Sequence, residues 1–272
     1  MPQIDRREGR RLFGADPVAY ESARPGHAER VYELLVGRCG LRPGTNVLEI
    51  GPGTGQATRR LLDLGASPLV TLEPDPALAG YLRRSFGELV EVREVALEDA
   101  ELATDVFDLA VAASSFHWVE ETLGLESVVS ALRPDGWWAM WWTLFGVPGK
   151  PDAFITATRP LLDGLDASPS SGKEGRPGPL ALDTEAWFAA LEHAGFRATE
   201  HEVVTWDTHW DTDGIRALYG TFSPIARLDA ERRDGILDAV AHIAEHEFGG
   251  RVERTLLTSI YTARKPGRSE PG

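Results

Sequence analysis

The stretch Val47-Leu48-Glu49-Ile50-Gly51-Pro52-Gly53-Thr54-Gly55 decides how the rest of the chain is read. Its first half is a short apolar run, and Asn46–Ile50 reads as a buried strand. Three glycines at alternate positions follow at once, which suits a tight turn that brings backbone close to a ligand. Gln56 to Leu64 then reads as a helix whose N-terminus offers free N–H groups. Upstream, Ala28, Val31, Leu34 and Leu35 share one face of a helix over 26–38, and Arg42–Thr45 is a turn. Downstream, strands are predicted at Leu69–Leu72, Val90–Val95, Phe107–Ala113 and Trp137–Thr143. Helices are predicted at Pro76–Phe86 and Leu125–Leu132, with a turn at Arg133–Gly136. Alternating strands and helices need crossover connections, hence a parallel sheet with helices on both faces. Ligands of such sheets bind outside the carboxyl ends of the strands, where the strand order reverses.

The second half is less regular. Residues 164–180 are rich in Gly, Ser and Pro and read as an exposed, mobile loop. Thr184–Ala194 reads as a helix capped by Asp183 and stopped by Gly195. Ala198–Trp206 alternates like a strand, helices follow near Asp213–Phe222 and Asp229–Phe248, and Thr255–Ala263 reads as the last strand.

The 272 residues carry 28 Lys+Arg against 42 Asp+Glu, a net charge of −14. That balance disfavours nucleic acid as a partner, because duplex binding needs basic surface to neutralise phosphates. The single cysteine, Cys39, excludes an internal disulfide and a thiolate zinc cluster, and fits a reducing compartment. Met1–Arg11 is charged and lacks an apolar signal-peptide core, and no stretch approaches ~18 uninterrupted apolar residues. The expected location is therefore cytoplasmic, with no membrane partner.

Glu73 closes the strand that follows the glycine-rich turn. A carboxylate there can accept hydrogen bonds from both ribose hydroxyls of a nucleoside. The third glycine, Gly55, comes one position too early for the dinucleotide fingerprint, with Gln56 in its place, which opposes a nicotinamide oxidoreductase. The Gly-Lys-Ser/Thr of a nucleoside-triphosphate loop is missing as well.

Val47 to Gly55 resembles the first motif of class I S-adenosylmethionine-dependent methyltransferases, and Leu72-Glu73-Pro74-Asp75 is similar to their second. Val95-Ala96-Leu97-Glu98-Asp99 resembles the segment that holds the adenine. Phe107-Asp108-Leu109 with Ser114-Ser115-Phe116-His117-Trp118 resembles the fourth-strand motif of a small-molecule subgroup related to trans-aconitate methyltransferases. Leu132 to Trp137 and Ile260 to Arg264 are similar to the turn before that subgroup's fifth strand and to its last strand. The resemblance implies a Rossmann-like, doubly wound α/β sheet of seven strands, mostly parallel with an antiparallel last strand, and helical lid segments. It implies S-adenosylmethionine as cofactor, with Glu49, Gly51, Gly53, Gly55, Glu73, Pro74, Leu97, Glu98 and Ser114 around it. Tyr20 and Arg24 fall in Ala19 to Gly26, which resembles the segment that this subgroup closes over cofactor and substrate. The subgroup has a Tyr after that Gly, where this chain has His27. The whole chain, 1–272, is expected to form one methyltransferase domain. Its parts are an N-terminal lid over 1–36, a cofactor core over 37–145, lid insertions at 146–182 and 207–252, and the remaining sheet at 183–206 and 253–265.

Methyl transfer from a sulfonium needs in-line approach and exclusion of water, and a base only where the acceptor must lose a proton. His117 is the first candidate for that base, or for acceptor contact; the other reading is a residue that orients the loop or the cofactor. Tyr20, His117, Trp118 and Trp142 are the candidate substrate contacts. In a strand, Trp138 and Trp142 share one face while Trp137 and Trp141 share the other. Each is read as sheet packing, or, for Trp141 and Trp142, as the wall of an apolar acceptor pocket. Trp206 and Trp210 are weaker pocket candidates. His242-Ile243-Ala244-Glu245-His246 matches an inverted zinc-protease motif, but it resembles the late lid helix of the methyltransferases, and no metal is expected. The expected activity is methyl transfer to a small organic acceptor, such as an aromatic or apolar intermediate of secondary metabolism, by a monomer or homodimer. The alternative is a protein that binds S-adenosylmethionine without methyl transfer, as a ligand-controlled or pericyclase-like scaffold.

Overall fold

The sequence around the glycine-rich turn folds as its patterning requires. The computed structural model describes residues 3–14, 16–172 and 178–267. Its strands are β1 (Thr45–Ile50), β2 (Ala66–Leu72), β3 (Glu91–Arg93), β4 (Phe107–Ala113), β5 (Leu132–Leu144), β6 (Arg197–Asp211) and β7 (Arg251–Arg264). Among the described residues they form one sheet of seven strands in the order β3-β2-β1-β4-β5-β7-β6. β7 lies antiparallel between β5 and β6, and the other neighbouring pairs are parallel. The chain runs outward from β1 in both directions, so the strand order reverses between β1 and β4. A crevice opens there at the carboxyl ends.

Helices cover both faces. In chain order they are α1 (Arg6–Gly9), α2 (Pro17–Ala23), α3 (Glu29–Gly37), α4 (Gln56–Asp63), α5 (Pro76–Phe86), α6 (Glu121–Ala131), α7 (Ala153–Leu162), α8 (Thr184–His193), α9 (Thr212–Gly220), α10 (Ser223–Ala226) and α11 (Ala230–Phe248). Because strand side chains alternate, Leu48, Ala110, Trp138 and Trp142 pack on one face, with Val128 of α6 and Leu191 of α8. Val47, Leu109 and Trp141 pack on the other, with Leu35 of α3, Leu61 of α4 and Leu82 of α5. Helix starts carry their own signals: the Asp75 carboxylate accepts from the N–H groups of Ala77 and Leu78 and caps α5, and Asp183 caps α8 through Ala186.

Three expectations change. The predicted turn Arg133–Gly136 lies inside β5 as an irregularity, with Leu132 opposite Phe107 and Trp137 opposite Leu109. Asp135 takes a left-handed φ of 67° there, and the backbone on either side stays paired. β6 and β7 run on as a long ribbon that ends with Asp211 opposite Arg251, because the alternation of exposed and half-buried residues continues past Trp206. Residues 207–211 and 251–252, expected in a lid, are therefore strand. The segment 164–180 is not simply exposed: Leu165, Pro169 and Leu180 are buried. Its Arg176-Pro177 portion lies outside the described residues.

The helices α7, α9, α10 and α11 have a core of their own, built on Phe154, Ile215, Leu218, Tyr219, Val240 and Ala244 and closed against Val252 and Leu256 of β7. On α11, His242 and His246 lie exposed with ring centroids 4.2 Å apart, and Glu245 accepts a hydrogen bond from the Thr212 hydroxyl at 2.7 Å. Among the described residues, no group of three His, Cys, Asp or Glu is placed to hold a metal ion. No described helix is long and apolar enough to cross a membrane.

Arg254 of β7 fastens this helical layer to the sheet. Its side chain is 1% exposed, its Nε lies 3.1 Å from Asp152 Oδ2, and it donates to the Phe145 carbonyl. Removing one partner of such a pair leaves a buried charge uncompensated. Arg254→Ala is therefore expected to lose roughly 3–5 kcal/mol of stability in chemical denaturation.

Candidate active site

A cavity of about 420 Å³ occupies the switch point between β1 and β4. Its floor is the glycine-rich turn. Gly51 has φ +63°, and a Cβ there would stand 2.7 Å from Ser115 Cβ, so no larger residue fits. Gly53 has φ +60° and open space beside it, which keeps its backbone accessible to a ligand. Gly55 is the left-handed residue at the start of α4, and a Cβ there would meet the Phe86 ring at 2.5 Å. It serves packing, and it does not line the cavity.

Glu73 lines the cavity from the end of β2 and is 3% exposed. Its carboxylate accepts the Gly53 N–H at 3.0 Å and the Asp75 N–H at 3.0 Å. Burial pushes this carboxyl up to about 7, against the pull of those two donors. Glu49, expected beside the cofactor, does not reach the cavity. It is fully buried beneath the turn, accepts from the Thr58 hydroxyl at 2.6 Å, and is likewise raised to about 7 by burial.

The cavity roof comes from distant parts of the chain. Arg10 pairs with Glu98 and donates to the Trp118 carbonyl at 3.0 Å. Glu98, expected near adenine, thus holds Arg10 and does not line the cavity, whereas Leu97 and Pro74 do. Phe13 packs between Tyr20 and Trp118, at centroid distances of 5.5 and 6.0 Å. Gln56, the residue that breaks the dinucleotide spacing, donates to the carbonyls of Glu21 and Arg24 at 3.3 and 3.0 Å. It thereby ties the end of α2 to the start of α4. Arg24 donates to the Thr221 hydroxyl at 2.7 Å, and its guanidinium lies 5.1–5.5 Å from the rings of Tyr20, Phe145 and Phe222. Tyr20 and Arg24 both line the cavity.

At the other end, Ser114, His117 and Trp118 follow β4, and Trp142 faces them from β5. Ser114 takes a φ of +52°, a left-handed conformation for a residue with a side chain, and its N–H donates to the Trp141 carbonyl at 2.8 Å. His117 is 8% exposed, and its Nδ1 lies 3.2 Å from Trp142 Nε1. Burial lowers its pKa to about 3, and the charges of Arg24 and Arg6 push the same way. Trp141 is fully buried and does not line the cavity; it packs edge-on against His27 at 5.6 Å. Trp206 donates to Thr258, and Trp210 belongs to the helical core; neither lines the cavity.

Sequence reading missed Arg10, Phe13, His27, Gln56, Phe145 and Phe222, all of which line the cavity. Gln56 carried a signal as the break in the dinucleotide spacing, and His27 as the departure from the subgroup's Tyr. Its ring is held neutral, with a pKa lowered to about 4 by burial and by Arg24.

Comparison with known proteins fits this geometry. Residues 48–140 match the model of the methyltransferase domain family. The chain is 23% identical to an uncharacterized methyltransferase of Schizosaccharomyces pombe, over 94% of this chain and 97% of that one. It is 30% identical to an uncharacterized methyltransferase of Mycobacterium tuberculosis, over 50% of this chain and 54% of that one. By this comparison the matched stretch, residues 48–140, is a methyltransferase domain, and S-adenosylmethionine is the cofactor that the match supports. Among solved structures, the [4+2]-cyclase SpnF shares the fold with a TM-score of 0.59 and 18% identity, over 98% of this chain and 99% of that one. Phosphoethanolamine N-methyltransferase 2 of Haemonchus contortus, in complex with phosphomonomethylethanolamine and S-adenosylhomocysteine, gives 0.58 and 14%, over 97% of this chain and 60% of that one.

The raised carboxyl of Glu73 makes a prediction about stability. A buried carboxyl raised from 4.5 to about 7 gives stability that is fully present below 4.5 and lost as pH rises through about 7. Glu73→Gln removes that loss. Its stability relative to the parent protein is therefore expected to be greater at about pH 8 than at about pH 5 in thermal unfolding. A pH-independent difference would contradict the assigned environment.

Proposed function

We propose that the protein transfers a methyl group from S-adenosylmethionine to a small organic acceptor bound between Tyr20, His117, Trp118 and Trp142. One observation carries the reading: a single roofed cavity joins the Gly51–Gly53 turn and Glu73 to the aromatic side chains beyond β4 and β5. The residues at its first end suit the cofactor. The open side of Gly53 leaves room where a Cβ would intrude, and the Glu73 carboxylate can accept ribose hydroxyls. In this reading Gly51, Gly53, Glu73, Pro74, Leu97 and Ser114 hold the cofactor, with Tyr20 and Arg24 over it. When bound, the cofactor supplies a methyl group activated by a sulfonium.

The chain's own part is positioning and dryness. The roof of Arg10, Phe13, Tyr20 and Arg24 excludes water, and the walls hold the acceptor in line. The rings of Phe13, Trp118, Trp142, Phe145 and Phe222 favour an aromatic or apolar acceptor, as an intermediate of secondary metabolism would be. The roof also limits acceptor size, and the net charge of −14 speaks against a nucleic-acid acceptor.

Calorimetry with S-adenosylhomocysteine tests the cofactor end. Glu73→Ala is expected to weaken binding about 10–100-fold, the loss of hydrogen bonds to a charged group. Equal binding by parent and variant would sink the assignment. Incubation of methyl-labelled S-adenosylmethionine with a panel of aromatic, carboxylic and amine acceptors tests turnover. Labelled product supports methyl transfer. Tight cofactor binding with an acceptor chemically rearranged and no label transferred would favour the scaffold reading, in the manner of a cyclase.

A further inference from the structure

His117 and Trp142 make one direct bond with consequences for chemistry at the cavity's far end. His117 sits on the short turn Phe116–Trp118 after β4, and Trp142 sits on the neighbouring strand β5. The bond joins Trp142 Nε1 to His117 Nδ1 at 3.2 Å, with the residues buried. An indole nitrogen can only donate. Nδ1 must therefore offer its lone pair, and a neutral imidazole then carries its proton on Nε2. The Trp142 bond is the one hydrogen bond that the ring makes among the described residues. Nε2 is not sealed off as an unpartnered buried atom, in contrast to Nδ1 of His27, and the His117 ring lines the cavity.

The donor is itself held in place. The Trp142 ring stacks on Trp187, with centroids 5.3 Å apart and planes 30° apart, and meets the Tyr261 ring edge-on at 6.1 Å. Trp187 in turn donates from Nε1 to the Leu180 carbonyl at 2.9 Å. The charged groups that act on His117 are the guanidiniums of Arg24 and Arg6, and both oppose a positive imidazole. The uncharged ring of Trp118 lies beside it, tilted by 43° with centroids 4.8 Å apart.

We propose that Trp142 is a positioning residue that locks His117 as the neutral Nε2–H tautomer, so that the ring presents a proton donor, and no base, to the cavity. Given the methyl-transfer reading on which this rests, His117 steadies an oxygen lone pair of the acceptor. It takes no proton from it. Suitable acceptors then bring their nucleophilic group in the ionisation state in which it reacts.

Long-range proton–nitrogen NMR on the full chain, labelled with ¹⁵N-histidine, tests this. The His117 signals are identified by their loss in His117→Gln. The expected result is an unprotonated Nδ1 and a protonated Nε2, unchanged between about pH 5.5 and 8, the range where a free imidazole titrates. Trp142→Phe keeps an aromatic ring and removes the donor, and is expected to shift the His117 signals toward a mixture of tautomers. Trp187→Phe keeps the indole donor and is expected to leave the tautomer as it was. A proton on Nδ1, a titration inside that range, or an unaltered His117 in Trp142→Phe overturns the proposal. The tautomer of the parent protein is decisive by itself if Trp142→Phe does not fold. Adding S-adenosylhomocysteine to the same samples separates the two readings. Failure of the ligand to bind, with the expected tautomer present, would count against methyl transfer and leave the lock intact.

Discussion

The site is organised around one carboxylate held almost dry. Glu73 spans the Gly53 and Asp75 N–H groups, and so joins the turn after β1 to the start of α5. Burying an ionised carboxylate is costly unless donors surround it, and two backbone donors offset only part of that cost here. The bond also fixes where the turn can go. Gly51 must pass under Ser115, Gly53 must face the cavity, and both need left-handed backbone. Glycine takes that conformation without strain, so the cost of the arrangement lies in drying the carboxylate, and it persists because surrounding structure holds it. Here that support comes from the buried strands β1 and β4 on either side and from the Thr58–Glu49 bond beneath.

The roof follows from a different economy of contacts. No single element covers the crevice. The segment before α3 is fixed by Arg10 to Glu98, by Gln56 to two carbonyls and by Arg24 to Thr221, so that three regions distant in sequence meet over one cavity. Arg24 is central, because its guanidinium packs among the rings of Tyr20, Phe145 and Phe222 while its hydrogen bonds reach the turn after α9. A planar cation suits that dual role, since its faces stack on rings while its edge donates.

This division explains what the sequence made legible. β1, α4, α5 and β4 announce themselves through short-range pattern: an apolar run, alternate glycines, and an Asp at a helix start. Trp138 and Trp142 fall on one face and Trp141 on the other because strand side chains must alternate. What the sequence left unread are side-chain partners that residue type and local pattern do not specify. Arg10 reaches the Trp118 carbonyl across a sequence separation of 108, and nothing in the segment around Arg10 signals it. Glu49 and Glu98 carry the expected residue types, yet one points beneath the turn to Thr58 and the other is occupied by Arg10. The β5 irregularity was hidden for the opposite reason: Pro-Asp-Gly is a turn signal, and only the neighbouring strands show that the chain stays in the sheet.

The electrostatics of the cavity also depart from those of the whole molecule. The chain as a whole has a net charge of −14, while the cavity lining includes the Arg24 guanidinium, two imidazoles held neutral and a carboxyl raised to about 7. Burial is the leading cause at His27, His117 and Glu73 alike, and it favours the uncharged form of each. Arg24 cannot follow, because a guanidinium keeps its proton. It is therefore the one permanent charge among these four groups, and the surrounding rings and the Thr221 oxygens take over the role of its water shell. The same dryness that makes imidazolium unfavourable strengthens each remaining dipole, since a hydrogen bond gains electrostatically where water is absent. Chemistry in such a space depends on placement and on fixed donors, and the Trp142–His117 bond supplies a donor of that kind within a wall of rings.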